Sequence, residues 1–219
     1  MDGSEIHESV SAIIALSTAG WEIIFTAPDV EQRKTVSYLS GKDIPSRNAL
    51  EESARIARGN IEPLSLKLLD EADALVIPGG FGAALTLCDF GIRGSDCQAI
   101  PEVSELLGEA HRRRIPIAAM CIAPALVARC IPGVSVTLGN STEVAAKIHG
   151  MGCTHIECPP EAVHVDNANR IVSTPAYMTA KQPSEVFRGA QRMVEELDRL
   201  CTGNEPDQES HLKNSTEGL

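Results

Sequence analysis

The chain has 219 residues, enough for one domain with a sizeable core. Its net charge of -11, from 19 basic and 30 acidic residues, and its 3% aromatic content argue against a nucleic-acid surface and against binding to an anionic membrane. No run reaches the ~18 apolar residues of a membrane span, and seven scattered cysteines without a CxxC pair point to free thiols in a reducing compartment.

Ser4 is a candidate N-cap for a first helix that carries Glu5 and Glu8 in its opening turn and ends at Gly20. Helical periodicity puts Ile6, Val10 and Ile13 on the buried face and leaves Glu8 off it, as a solvated acid complementing the helix dipole. "WEIIFTAP" follows as a strand, and Ser46 is expected to cap a helix through "RNALEESARIAR" that Gly59 stops. "DALVIPGGFG" is a buried strand running into a glycine turn. Pro101 opens a helix with Val103, Leu106, Leu107 and Ala110 on one face, closed by the cations of "HRRR".

In "IPIAAMCIAPALVAR", a strand from Ile115 to Met120 meets a helix from Ile122 to about Arg129, with Pro124 tolerated in its first turn. "VSVTLG" and "RIVST" are further strands. Pro183 begins a last helix with Val186, Ala190, Met193, Val194 and Leu197 on one side. Residues 1–200 are expected to form one domain and 201–219 a polar, disordered tail. Strands alternating with helices indicate an α/β architecture with a parallel sheet covered on both faces, whose sites lie beyond the carboxyl ends of the strands.

Two such ends carry chemistry. Cys121 sits between Met120 and Ile122, with small Ala119 and Ala123 two positions to either side, as a nucleophile elbow requires. A thiol there meets a helix N-terminus that favours the thiolate, although a buried, inert cysteine satisfies the same pattern. "PGGFG" is either a tight turn or an oxyanion site, in which N–H groups near Gly79 and Gly80 join that of Ile122. "CTHIEC" contains metal-ligand types but no second ligand pair, so His155 reads as a packed strand histidine.

"DGSEIHE", "APDVEQ", "LSGK", "RNALEESARIARG", "ALVIPGGFGAA", "CIAPAL", "MGCTHIECPP" and "IVSTPAYM" occur in the order found in the ElbB family. These are the enhancing-lycopene-biosynthesis, glyoxalase-annotated proteins of the PfpI-type, class I glutamine-amidotransferase-like superfamily, and the resemblance runs from about Asp2 to Leu197. It implies a flavodoxin-like three-layer sandwich with a mostly parallel sheet and a cysteine on an elbow, matching Cys121. It also implies a first-helix glutamate reaching that cysteine, a role falling on Glu8, with Glu5 as alternative.

The implied activity is cofactor-independent conversion of glyoxal or methylglyoxal to the 2-hydroxy acid. A glycation-repair deglycase would use the same residues, and a non-enzymatic or redox-sensing binding protein would keep the fold. The expected partners are a small dicarbonyl substrate and a second copy in a homodimer, with no nucleic acid, membrane, metal or other cofactor. The expected location is the cytoplasm, or the mitochondrion in a eukaryote.

The chain departs from the family twice. Many superfamily members place a histidine at the strand end that here reads "VTLG", with Gly139 in that position, which leaves a Cys–Glu pair and His155 as a third candidate. Family members also begin with a strand and a glycine-rich turn, whereas this chain starts inside that turn, so its first strand is expected to be missing from the sheet.

Overall fold

A computed structural model describes residues 3–203. In chain order the strands are β1 (Thr26–Ala27), β2 (Glu62–Pro63), β3 (Leu75–Ile77), β4 (Ile117–Met120), β5 (Ser135–Val136), β6 (Thr154–His155), β7 (His164–Asp166) and β8 (Ile171–Thr174). The α-helices are α1 (Ile6–Thr18), α2 (Ala49–Ile56), α3 (Phe81–Leu85), α4 (Phe90–Arg93), α5 (Pro101–Arg112), α6 (Ala123–Cys130), α7 (Thr142–Gly150) and α8 (Pro183–Thr202).

The main sheet runs β3-β4-β8-β7, parallel except for β7. Its two faces have separate cores because successive side chains of a strand point opposite ways. Ile117 and Ala119 of β4 pack toward α5 and α6, with Leu107, Ala110 and Leu126. Ala118 and Met120 pack toward α1 and α8, with Ala15, Val186, Ala190 and Met193. These are the three layers of the flavodoxin-like architecture. In α5, Pro101 at the start, Glu102 in the first turn and His111 and Arg112 in the last match its expected limits.

Several expectations shift. The cap of α1 is Glu5, not Ser4, and its carboxylate accepts the Glu8 N–H at 2.7 Å. Asn48, not Ser46, caps α2. Of the stripe expected inside α1, Ile6 and Val10 are 62% and 40% exposed and Ile13 is half-buried; Ile14 is 47% exposed, while Glu8, Ser11, Ala12 and Ala15 are buried. Close packing of α1 on α8 and the sheet favours small residues along most of the contact, so Ile6, Val10 and Ile14 turn outward while Leu16 stays buried. α8 continues through Thr202 and ends on Gly203 in the left-handed conformation, so the 201 boundary falls inside a helix. The rest of the expected tail lies outside the described residues.

The sheet is interrupted where the first strand was expected to be absent. β1 pairs only with β2, β3 is an edge of the main sheet, and among the described residues no strand joins β1 to β3. β3 is only half-buried, whereas β4 and β8 are buried along their whole length. β5 and β6 form a further parallel pair.

Candidate active site

Three strand ends and the first turn of α1 converge on Cys121. The thiol residue follows β4 directly, and its φ of 63° puts a non-glycine residue in the left-handed region. That strain costs on the order of 1–3 kcal/mol and persists only where surrounding structure enforces it. Enforcement comes from the Cys121 N–H donating to the Thr174 carbonyl at the end of β8 (2.9 Å), and from α6 starting at Ala123. Ala119 and Ala123 are fully buried, as the tight turn demands.

The glycine turn after β3 closes the second side. A Cβ on Gly79 would come within 2.3 Å of both Cys121 Cβ and Glu8 Oε2, so backbone, thiol and carboxylate meet around a point where no side chain fits. Gly80 has a φ of 104°, which suits glycine, and a Cβ there would strike the Glu5 nitrogen at 2.3 Å. The turn is stitched to the start of α1 by Glu5 N–H to Gly79 O (2.9 Å) and Gly82 N–H to Gly3 O (3.0 Å). These bonds aim the first turn of α1, and with it Glu8, at the cysteine.

Glu8 is fully buried. Its Oε1 accepts the Tyr177 N–H at 3.2 Å, and its Oε2 has no hydrogen-bond partner of good geometry. Burial disfavours the charged carboxylate and pushes its pKa from 4.5 up to about 7, against the lowering effects of the Cys121 thiol and the Tyr177 and Gly79 backbone. Cys121, 8% exposed, is also pushed up, first by burial and then by the Glu8 charge. The N–H groups of Gly80 and Ile122 act the other way, favouring the thiolate. The helix start therefore does not produce a resting thiolate, as the sequence pattern had suggested. Burial outweighs it, and the Glu8 carboxyl is the thiol's hydrogen-bonding and charged neighbour.

Of the candidates, Cys121, Glu8, Gly79, Gly80 and Ile122 are brought together. Glu5 stands one step back, as the cap of α1 and as a negative neighbour that further raises Glu8. His155 is elsewhere: its Nε2 accepts the Leu138 N–H at 3.2 Å, and burial and His149 hold its pKa below the usual value. Gly139 has a φ of 94°, and a Cβ there would lie 2.6 Å from Thr179 Cγ2, so a histidine would not fit this backbone. Sequence reasoning missed Tyr177 and His7. Tyr177 follows β8, donates its N–H to Glu8, and pairs its hydroxyl with His7 Nδ1 at 2.7 Å on the exposed rim. The positive φ of the preceding Ala176 has no signature in an alanine. Among the described residues no group of three or more His, Cys, Asp or Glu side chains is placed to hold a metal ion, and no helix is long and apolar enough to cross a membrane.

No family model matches the chain. A human protein, "Glutamine amidotransferase-like class 1 domain-containing protein 3, mitochondrial", is 39% identical over 209 residues, 90% of this chain and 77% of that protein. The crystal structure of an isoprenoid biosynthesis protein with an amidotransferase-like domain from Ehrlichia chaffeensis superposes with a TM-score of 0.83 at 33% identity, covering 91% of this chain and 93% of that one. DJ-1beta of Drosophila melanogaster, at 18% identity and a TM-score of 0.51, shares the fold over 92% of this chain and 91% of its own.

Proposed function

Given that the chain belongs to the class 1 glutamine amidotransferase-like family, we propose that it is a cofactor-free glyoxalase that converts glyoxal or methylglyoxal to the 2-hydroxy acid. The observation that carries this is the buried Glu8 carboxyl set against the Cys121 thiol, with an Oε2 that makes no hydrogen bond of good geometry. A carboxyl group that titrates near neutrality beside a nucleophile can take up and return a proton within one turnover.

The thiol sulfur adds to the aldehyde carbon while its proton passes to Glu8, and a C–S bond replaces the carbonyl π bond. The N–H groups of Gly80 and Ile122 hold the oxygen that gains charge. Glu8 returns its proton to that oxygen and, as carboxylate, removes the hydrogen from the former aldehyde carbon. The electron pair moves onto the neighbouring carbonyl as an enediolate, Glu8 reprotonates that second carbon, and the hydroxyl proton passes from the first oxygen to the second as the first becomes the thioester carbonyl. An enzyme-bound 2-hydroxy thioester results, and water releases the acid and restores the thiol. One water is consumed, and the oxidation of one carbon balances the reduction of its neighbour. The finer likeness to the ElbB proteins, seen in the quoted motifs, favours this chemistry over amide hydrolysis, since Gly139 stands where the superfamily's histidine would be.

The test is lactate formation from methylglyoxal without added glutathione. Cys121→Ser should abolish it, and Glu8→Gln should lower kcat by about 10²- to 10⁴-fold, the usual contribution of one acid/base group. The kcat/KM of the wild type should fall below pH about 7 as the base becomes protonated. Turnover by Cys121→Ser equal to wild type refutes the mechanism. The rise of the thiol pKa favours a second reading, a binding or redox-sensing protein with an unreactive cysteine. That reading wins if no dicarbonyl is turned over and iodoacetamide alkylates Cys121 only above the ~8.5 of a free thiol. The mitochondrial location in the human relative's name favours the mitochondrion over the cytoplasm for this chain, which organelle fractionation checks.

A further inference from the structure

Tyr177 holds α1 at two points on adjacent residues. Its backbone N–H donates to Glu8 Oε1 at 3.2 Å, and its hydroxyl pairs with His7 Nδ1 at 2.7 Å, with the two ring centroids 5.8 Å apart. At 3.6 residues per turn, consecutive helical residues point about 100° apart around the axis. One attachment would leave the first turn of α1 free to roll, and two so placed fix its rotation. The circuit closes through Glu5, whose Oε1 lies 4.0 Å from His7 Nδ1 and whose Oε2 accepts the Glu8 N–H.

The segment that carries Tyr177 leaves β8 through Pro175 and enters a single turn of 3-10 helix, Ala176–Met178. Ala176 is fully buried with a φ of 42°, a left-handed backbone on a residue with a Cβ, which persists only where its surroundings enforce it. Within the turn, Ala176 O accepts the Thr179 and Ala180 N–H groups, and the two bonds from Tyr177 tie the turn to α1. The consequence falls on Glu8. With Oε1 taken by the Tyr177 N–H, Oε2 is left at the point where a Gly79 Cβ would also meet Cys121 Cβ. The glycine turn after β3 therefore sets α1 from one side, and Tyr177 and His7 set it from the other.

We propose that His7 and Tyr177 are positioning residues of the site: their side-chain hydrogen bond clamps α1 to the turn after β8 and so aims the Glu8 carboxyl at the Cys121 thiol. Neither side chain is required to touch the substrate. The proposal rests on the glyoxalase reading for its effect on turnover, and not for the geometry of Glu8. Without the clamp the Tyr177 N–H drifts from Oε1, the carboxylate loses a donor that favours its charged form, and Glu8 keeps its proton to higher pH. The other groups facing Glu8 are the Cys121 thiol, the Gly79 backbone and the Glu5 charge, none of which is removed by substituting His7 or Tyr177. Tyr177 stays a neutral phenol, its own pKa raised by burial and by the charges of Glu5 and Glu8.

The test compares the wild type with His7→Phe, Tyr177→Phe, the double variant and His7→Asn. Two readouts are taken: methylglyoxal turnover against pH, and NMR titration of the Glu8 carboxyl carbon, identified by its loss in Glu8→Gln. Each phenylalanine substitution should lower kcat about 10- to 100-fold with KM little changed. Each should also raise the pH at which Glu8 titrates by about one pH unit. The double variant should be no worse than either single one, since both break the same bond. His7→Asn, whose uncharged amide can give or accept that bond, should restore both readouts. An unchanged Glu8 titration in both phenylalanine variants overturns the proposal. So does a shift in His7→Phe that Tyr177→Phe does not share or that His7→Asn does not reverse, because Glu8 would then be sensing the imidazole rather than the clamp. If the wild type turns over no dicarbonyl, the glyoxalase reading falls, and the NMR titration, which needs no substrate, still decides the clamp.

Discussion

The carboxyl group of Glu8 is the most consequential single group in the molecule. Its pKa rises from 4.5 to about 7 on folding, chiefly through burial. Between those two values the unfolded chain has released the proton and the folded one has not, so stability is greatest below pH 4.5 from this group and is lost as pH rises to about 7. At 1.36 kcal/mol per unit the loss is about 3 kcal/mol. Glu8→Gln keeps an oxygen for the Tyr177 N–H and removes the titration. It should therefore stabilise the protein by up to about 3 kcal/mol at pH 8 and by little at pH 4, as urea unfolding at the two values would show. Equal effects at both would mean that Glu8 is not held neutral by its surroundings. A second residue-scale prediction concerns Gly79. Gly79→Ala should cost about 1–3 kcal/mol by overpacking and abolish turnover, because the added methyl occupies the space between Cys121 and Glu8. Activity retained in Gly79→Ala would show that the two groups do not need this spacing.

Among the elements, α1 departs furthest from its amphipathic pattern. A periodicity argument assigns its aliphatic residues to the core, yet Ile6, Val10 and Ile14 form an exposed stripe four residues apart. Beside it, Val10 and Ile14 share a shallow depression with Pro183 and Phe187 of α8. The homodimer proposed for this chain would cover that stripe. Val10→Glu should then shift the protein to a monomer in sedimentation velocity and leave its melting temperature within a few degrees. An unchanged sedimentation coefficient would place any dimer contact elsewhere. By contrast, α5 obeys its pattern, and Leu107, 1% exposed between the sheet and α6, should cost about 2–5 kcal/mol on Leu107→Ala, read by denaturant midpoint.

At the scale of the whole molecule, cooperativity should be uneven. β4 and β8 are fully buried and paired on both sides, whereas β1 and β3 each have one edge unpaired among the described residues. In the chain alone, amides of Ala118 and Val172 should exchange at least about a hundredfold more slowly than that of Val76. Uniform protection across the sheet would show that β3 does not behave as an edge strand in solution.

The alternation of apolar strands with helices, the limits of α5, the start of α8 at Pro183, and the placing of "PGGFG" and Cys121 at strand ends were legible in the residues. Local propensity, proline position and small residues around a tight turn are properties of short segments, and they survive folding. What the short segments do not carry is which distant groups meet. By spacing Glu8 is a solvated helix-start acid; only the resemblance to a family assigned it to the cysteine, and only the packing of α1 against the Gly79–Gly80 turn shows why it can be there. The Tyr177 N–H and the raised thiol were likewise decided by the tertiary structure. Burial, and the pairing of backbone groups far apart in the chain, are set by where the layers come together.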